Sequence, residues 1–350
     1  VIGKKKSVVC HLLTEEMVWL DEAHTAKLRD AEANCSVDKT DHFFKELESM
    51  RFGFFSDHVV YVDKLRPINS FSQKKMWQDA PRINLAILHV TNECNLDCSF
   101  CKTSFCPVCK RFEDQQPPLT ADQWKQILEQ LARFGPSSVL ITGGEPTCYP
   151  FIDELLSYSV SLGMPTSVHT NGLIPLNYSS PKLGVHITVS SPKNLDIILK
   201  NYNKIKSRVT LLVDDPLFEF VKAKTKGRWK MMRITYKEPF IKKEGLPKPN
   251  MDRFYARKLF DPCLNGKIAI SYTGDVYPCL GSSEPLLNLN HKSLPQAVKM
   301  LIEEYWKQTV DSRENQLKCK ECEFKYSCNA CRFLNTDKNC GYNLEASSWI

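Results

Sequence analysis

The run Cys94-Asn95-Leu96-Asp97-Cys98-Ser99-Phe100-Cys101 sets three thiols in a C-x3-C-x2-C spacing, directly after an apolar stretch, residues 83–90, that reads as a buried strand. Three ligands on one short loop cannot close a tetrahedral zinc site by themselves. They can hold three irons of a [4Fe-4S] cube and leave the fourth iron open to a small molecule. The vacancy is where chemistry would occur, and the strand that delivers the loop opens the fold.

From residue 82 onward, strands alternate with helices. Residues 120–134 read as a capped amphipathic helix, 138–142 as a strand, 151–162 as a helix and 166–170 as a strand. Residues 185–190, 209–213 and 230–236 supply three more strands, with helical stretches before the last two. Six strands alternating with helices imply an α/β fold built on a parallel sheet. In such sheets ligands gather at the C-terminal edge. The cysteine loop, Gly143-Gly144-Glu145 and Thr170-Asn171-Gly172 all fall at that edge.

The flanks read differently. Residues 1–65 form a small module: a hairpin of two short apolar runs, a helix capped by Asp21, a second helix starting at Asp38 or Thr40, and a β-rich strand at 59–62. Residues 66–81 are a linker, and 237–262 a bridging region rich in Lys and Pro. Residues 263–350 are cysteine-rich, with one clear helix near 294–308. A region so poor in periodic apolar residues needs metal to help it fold.

Composition narrows the class. The chain has 350 residues, 42% of them hydrophobic and 25% charged, values ordinary for a globular protein. No apolar run reaches membrane-spanning length, and residues 1–20 lack the plan of a signal peptide. Fifteen cysteines are many, and they are bunched: five lie within residues 94–109 and seven within 263–340. Bunching at intervals of two and three residues favours metal ligation over disulfides, and hence a reducing, low-oxygen cytoplasm. The formal charge of +7 is modest, with thirteen Lys/Arg against three acids in residues 222–258. No nucleic-acid motif accompanies that stretch, so nucleic acid ranks low as a partner.

C-x3-C-x-aromatic-C after the first strand of a βα alternation resembles the radical SAM enzymes, and residues 82–236 resemble their partial (β/α)6 TIM-type barrel. The resemblance implies that Cys94, Cys98 and Cys101 hold a [4Fe-4S] cluster whose fourth iron takes S-adenosylmethionine (SAM). Reduction then gives a 5′-deoxyadenosyl radical that abstracts hydrogen. Phe100 matches the aromatic beside the adenine. Gly143, Gly144 and Glu145 match the motif that binds the methionyl amine, and Ser190 the ribose contact. Thr170 lies at the next strand end, on the cavity floor.

The tail resembles the SPASM domain: Cys263, ten residues, Gly274, four residues, Cys279, then Cys319-x2-Cys322-x5-Cys328-x2-Cys331 and Cys340. The usual last interval of that run is three residues, and here it is two. The resemblance implies two auxiliary [4Fe-4S] clusters, three clusters in all. Cys263, Cys279 and Cys331 would hold the nearer one, with an open iron, and Cys319, Cys322, Cys328 and Cys340 the distal one. Zinc in a four-thiolate knuckle is the alternative for Cys319–Cys331. Cys106, Cys109 and Cys148 are left over as candidate catalytic thiols.

A winged-helix-like unit ahead of the barrel resembles the recognition element of ribosomal-peptide (RiPP) maturases, where a leader peptide adds as an extra strand. The expected function is therefore a radical SAM/SPASM peptide maturase that installs a crosslink, thioether first and carbon–carbon close behind. Its expected partners are a precursor peptide and a flavodoxin- or ferredoxin-type electron donor. Epimerisation and sulfatase-maturing oxidation are alternatives. The latter carries an Asp just after the second auxiliary cysteine, where this chain has Leu280. From other classes, a non-catalytic Fe-S scaffold and a DNA-binding regulator remain, although residues 38–52 make no basic recognition helix.

Overall fold

The computed structural model describes residues 1–58, 82–98, 101, 109–112, 116–234, 246, 248–251, 253–254, 257, 261, 263–306, 318–328, 333 and 340–349. They belong to two compact units, one of residues 81–239 and 264–306, the other of residues 1–80, 240–263 and 307–350.

The first unit is built on the expected alternation. Its strands are β3 (Leu85–His89), β4 (Val139–Thr142), β5 (Thr166–Thr170), β6 (Leu183–Val189), β7 (Arg208–Asp214) and β8 (Lys230–Ile234). Each pairs parallel with the next, in chain order. Between them run α3 (Ala121–Arg133), α4 (Ile152–Ser161), α5 (Pro192–Asn201) and α6 (Asp215–Thr225). Winding in one direction, without a switch in strand order, is the barrel-type α/β pattern. Strands β3, β4, β6 and β7 are largely apolar because helices cover the sheet; Leu88, Ile141, Leu183 and Ile187 are fully buried. Helix α3 shows the local logic. Thr120 caps it in a reciprocal capping box with Gln123, and Trp124, Ile127, Leu128 and Leu131 recur at helical spacing and are buried.

Three further strands extend this sheet: β9 (Lys267–Ile270), β10 (Asp275–Tyr277) and β11 (Leu287–Asn288). Strand β9 pairs parallel with β3, Leu85 opposite Lys267 through Leu88 opposite Ile270, and β10 and β11 follow antiparallel. Helix α7 (Leu294–Leu301) continues into a wider turn at Ile302–Trp306, where the Trp306 indole donates to the Lys267 carbonyl at 3.0 Å. Residues 263–350, read as one cysteine-rich domain, thus divide after 306. The apolar run at 267–270 satisfies the open backbone edge of β3, which would otherwise be an unpaired strand.

In the second unit, β1 (Ser7–His11) and β2 (Glu16–Leu20) form the expected hairpin, followed by α1 (Glu22–Asn34), capped by Asp21, and α2 (His42–Ser49). The cap of α2 is Asp41, not Asp38 or Thr40. The Asp41 carboxylate accepts from the Phe43 amide at 2.8 Å, and Asp38 instead closes the preceding turn onto Thr40. The same unit contains the hairpin of β12 (Tyr342–Asn343) and β13 (Ser348–Trp349). Trp19 stacks on Phe324 at 4.9 Å, and Phe324, Tyr342 and Trp349 form one ring cluster. The strand expected at 59–62 and the linker at 66–81 lie outside the described residues. Among the described residues no helix is long and apolar enough to cross a membrane.

Candidate functional site

The C-terminal ends of β3, β4, β5 and β6 converge on one pocket of about 400 Å³, open mouth included. Its lining includes Cys94, Cys98 and Cys101 from the loop after β3, with Gly144 and Glu145 after β4. His169, Thr170 and Asn171 at the end of β5, and Thr188 and Ser190 at the end of β6, complete the wall. Cys109 belongs to the same lining.

Gly143 and Gly144 are glycines for a reason the structure makes explicit. A Cβ on Gly143 would stand 2.7 Å from the Thr91 carbonyl oxygen, and one on Gly144 2.4 Å from that of Glu93. The bare backbone lets the cysteine loop lie directly on the turn, where the Gly144 amide donates to Thr91 and the Glu145 amide to Glu93, both at 2.7 Å.

Glu145 is buried, with 1% of its surface exposed, yet well supplied with donors. Its Oε1 accepts from the Thr147 amide (3.0 Å), the Thr147 hydroxyl (2.7 Å) and the Thr170 hydroxyl (2.6 Å), and its Oε2 from the Asn171 amide (2.7 Å). A carboxylate offers about four acceptor sites. Oε1 is crowded and Oε2 carries one bond, so Oε2 keeps the capacity to take an incoming ammonium. The Asn171 side chain reaches back to Asn95 Oδ1 at 2.6 Å and ties β5 to the cysteine loop. The Ser190 hydroxyl accepts from Asn194 at 2.5 Å.

The thiols share one electrostatic neighbourhood. Cys101 and Cys109 sulfurs lie 3.6 Å apart. That contact pushes the Cys101 thiol down to about 7, against the opposing effect of burial. Cys109 moves up, through the same contact and then burial, and the charges of Cys101, Cys94 and Cys98 all act on it. Burial raises Cys98 as well. Among the described residues, no three His, Cys, Asp or Glu side chains converge on a single-ion position. A cube asks for wider spacing, because each iron takes its own thiolate. The donor set therefore fits a [4Fe-4S] cube: three soft thiolates on one loop, beside a pocket with polar groups at its other strand ends.

Of the other expected residues, Phe100, Cys106 and Cys331 lie outside the described residues. Cys148 sits on the short 3-10 turn Pro146–Cys148, where burial and then the Glu145 charge raise its thiol. Cys279 follows β10, and its sulfur accepts from the Gly281 amide at 3.3 Å. Cys319, Cys322 and Cys328 occupy successive turns, and burial raises the Cys322 thiol, helped by the charges of the other two. The Cys340 thiol lies 3.9 Å from the Tyr342 carbonyl, and Cys263 is exposed.

Sequence reasoning missed His169 and Thr188. The His169 Nε2 meets the Thr188 hydroxyl at 2.7 Å, its Nδ1 is buried without a partner, and burial pushes its pKa to about 4. The available signal was their place at the C-terminal ends of β5 and β6, where the other polar motifs fall. Sequence reasoning singled out Cys109 but missed how residues 110–112 are anchored. Arg111 donates to the carbonyls of Cys94 (3.2 Å) and Leu96 (2.6 Å), and the Phe112 backbone exchanges two hydrogen bonds with the Asn92 side chain.

Residues 88–231, which hold the cysteine loop and the Gly-Gly-Glu turn, match the domain model described as the Radical SAM superfamily. Such a domain works with a [4Fe-4S] cluster and SAM. The chain is similar to an S-adenosylmethionine-dependent nucleotide dehydratase of Flammeovirga pacifica, 32% identical over 38% of this chain and 42% of that protein. It is also similar to a PqqA peptide cyclase of Rhodopseudomonas palustris, 31% identical over 25% of this chain and 22% of that protein. In fold it resembles Streptococcus suis SuiB, with a TM-score of 0.50 at 17% identity over 97% of this chain and 95% of that one. The chain spans less than half the length of these two curated relatives.

Proposed function

We propose that this chain matures a ribosomally made precursor peptide by radical chemistry and installs a crosslink in it, a thioether ahead of a carbon–carbon bond. The observation that carries the proposal is the single pocket that gathers Cys94, Cys98 and Cys101 with Gly144, Glu145, Thr170 and Ser190. In this reading the three thiols hold the cluster, Glu145 Oε2 takes the methionyl ammonium, and Thr170 and Ser190 face the rest of the nucleoside. The chemistry such a cluster supplies with SAM is one-electron cleavage to a hydrogen-abstracting 5′-deoxyadenosyl radical.

The relatives share the radical-making segment and differ in what they act on, so the substrate must be argued from the flanks. The hairpin β1–β2 followed by α1 and α2 has the element order of a peptide-recognition module, and the likeness to a PqqA peptide cyclase points the same way. The leader would add as a strand beside the hairpin. Cys263, Cys279 and Cys331 would hold one auxiliary cluster and Cys319, Cys322, Cys328 and Cys340 another, fed by a flavodoxin- or ferredoxin-type donor. An open iron on the first would hold a substrate thiolate, which favours the thioether.

The test is co-expression with candidate short peptides from neighbouring open reading frames, followed by mass spectrometry of each peptide. Loss of two hydrogens per modification supports a crosslink. Unchanged mass with deuterium uptake from heavy water would replace it with epimerisation. A peptide left unmodified by a chain that turns over SAM would remove the peptide reading.

A further inference from the structure

The proposed use of the pocket needs three thiols, and the structure puts four there. Cys109 lines the same pocket as Cys94, Cys98 and Cys101, with its sulfur 3.6 Å from that of Cys101. The residues that follow it are held in place. The Lys110 amide donates to the Gly143 carbonyl at 3.3 Å, and the His89 Nε2 meets the Lys110 carbonyl at 2.6 Å. Arg111 is bound to the carbonyls of Cys94 and Leu96, and Phe112 is held by Asn92. Residues 110–112 are thus stapled, one after another, to the cysteine loop, to β3 and to the Gly-Gly-Glu turn. A thiol anchored this closely to three cluster thiols has the fixed placement that a metal ligand requires.

The neighbouring residue separates two assignments for this thiol. Lys110 extends its ammonium to the Leu280 carbonyl at 3.0 Å, beside Cys279. Cys109 instead contacts Cys101. The segment therefore turns its lysine to the auxiliary cysteine and its thiol to the radical-forming loop.

We infer that Cys109 is a fourth, exchangeable ligand of the loop cluster: it occupies the iron left open by Cys94, Cys98 and Cys101 until SAM displaces it. The inference rests on the reading that those three cysteines hold the cluster. The step is a ligand exchange without redox change. The bond from iron to the Cys109 sulfur breaks, the SAM ammonium gives up one proton as its nitrogen and the carboxylate oxygen bind that iron, and the released thiolate takes up that proton. Such a cap closes the most labile iron of the cube while no substrate is present.

A cube with three thiolates loses its fourth iron on mild oxidation and becomes a paramagnetic [3Fe-4S] cluster, whereas a fourth thiolate protects it. The full chain is reconstituted, oxidised with ferricyanide and read by electron paramagnetic resonance, beside Cys109→Ala and Cys109→Ser. The wild type should give only the [3Fe-4S] signal of the auxiliary cluster's open iron. Cys109→Ala should roughly double it with iron per chain before oxidation unchanged, Cys109→Ser should fall between, and prior SAM should bring the Ala variant back to the wild-type level. Equal signals in all three proteins would overturn the inference. So would loss of a whole cluster's iron from Cys109→Ala, which would make Cys109 an auxiliary ligand. The triple variant Cys94→Ala/Cys98→Ala/Cys101→Ala tests the underlying reading separately: if it keeps full iron, that reading fails whatever Cys109 does.

Discussion

A single methyl group on Gly144 would fall 2.4 Å from the Glu93 carbonyl oxygen and 2.8 Å from that of Asn92. Backbone, unlike a flexible side chain, cannot swing aside, so Gly144→Ala should cost roughly 1–3 kcal/mol as an overpacking change and displace the cysteine loop. Urea midpoints of the apo chain and iron bound after reconstitution would both fall. Glu145→Gln trades a carboxylate for an amide before four donors, leaving one of them, the Asn171 amide, facing an N–H, and should cost about 1–3 kcal/mol. At His169 burial pushes the pKa to about 4. The unfolded chain, with its histidine near 6.5, therefore takes up a proton first as pH falls. Stability is flat above pH 6.5 and drops as pH falls toward 4, by about 3 kcal/mol at most from this side chain. His89, also pushed down to about 4 by burial, and His186, lowered by burial too, share the window, so His169→Asn should reduce the acid-limb slope rather than abolish it. Urea titrations at pH 7 and 5 measure this. The ligand-type residues were legible because thiols at intervals of two and three residues admit few uses. The roles of Gly143 and Gly144 were half legible. Their smallness was evident, but the close neighbour is the loop backbone, which no local pattern reveals.

At the scale of elements, the six parallel strands and their helices follow the sequence closely, because long apolar runs and capped periodic helices are strong signals. Thr120→Ala should cost α3 about 1 kcal/mol by removing a side-chain cap. Strand β9 was not legible. A four-residue apolar run between cysteines carries no period long enough to separate strand from loop, and its partner β3 lies far away in the chain. Its role makes a sharp prediction about boundaries. A fragment of residues 82–306 should unfold cooperatively in urea, while one ending at residue 236 should not, because β3 then presents an open edge with Leu85, Ala86, Ile87 and Leu88 uncovered. Equal cooperativity of the two fragments would show that β9 is dispensable.

For the whole molecule, the long-range partnership hidden from the sequence is that of its two ends. The Trp19 ring meets Phe324, and Lys4 donates its amide to the Glu321 carbonyl at 2.8 Å and pairs with Glu345. Isolated aromatics in turns show no periodicity, so nothing announced that the N-terminal hairpin and the cysteine-rich tail would fold into one unit. The radical-making domain, by contrast, was legible in a single eight-residue stretch, since it supplies its own ligands. The account's central claim is that Cys94, Cys98 and Cys101 hold a cluster that cleaves SAM. The most direct measurement is 5′-deoxyadenosine released by the reconstituted full chain with dithionite and SAM under anaerobic conditions. The account predicts 5′-deoxyadenosine from the wild type and none from the Cys94→Ala/Cys98→Ala/Cys101→Ala variant. No product from an iron-replete wild type, or equal product from the triple variant, would contradict it.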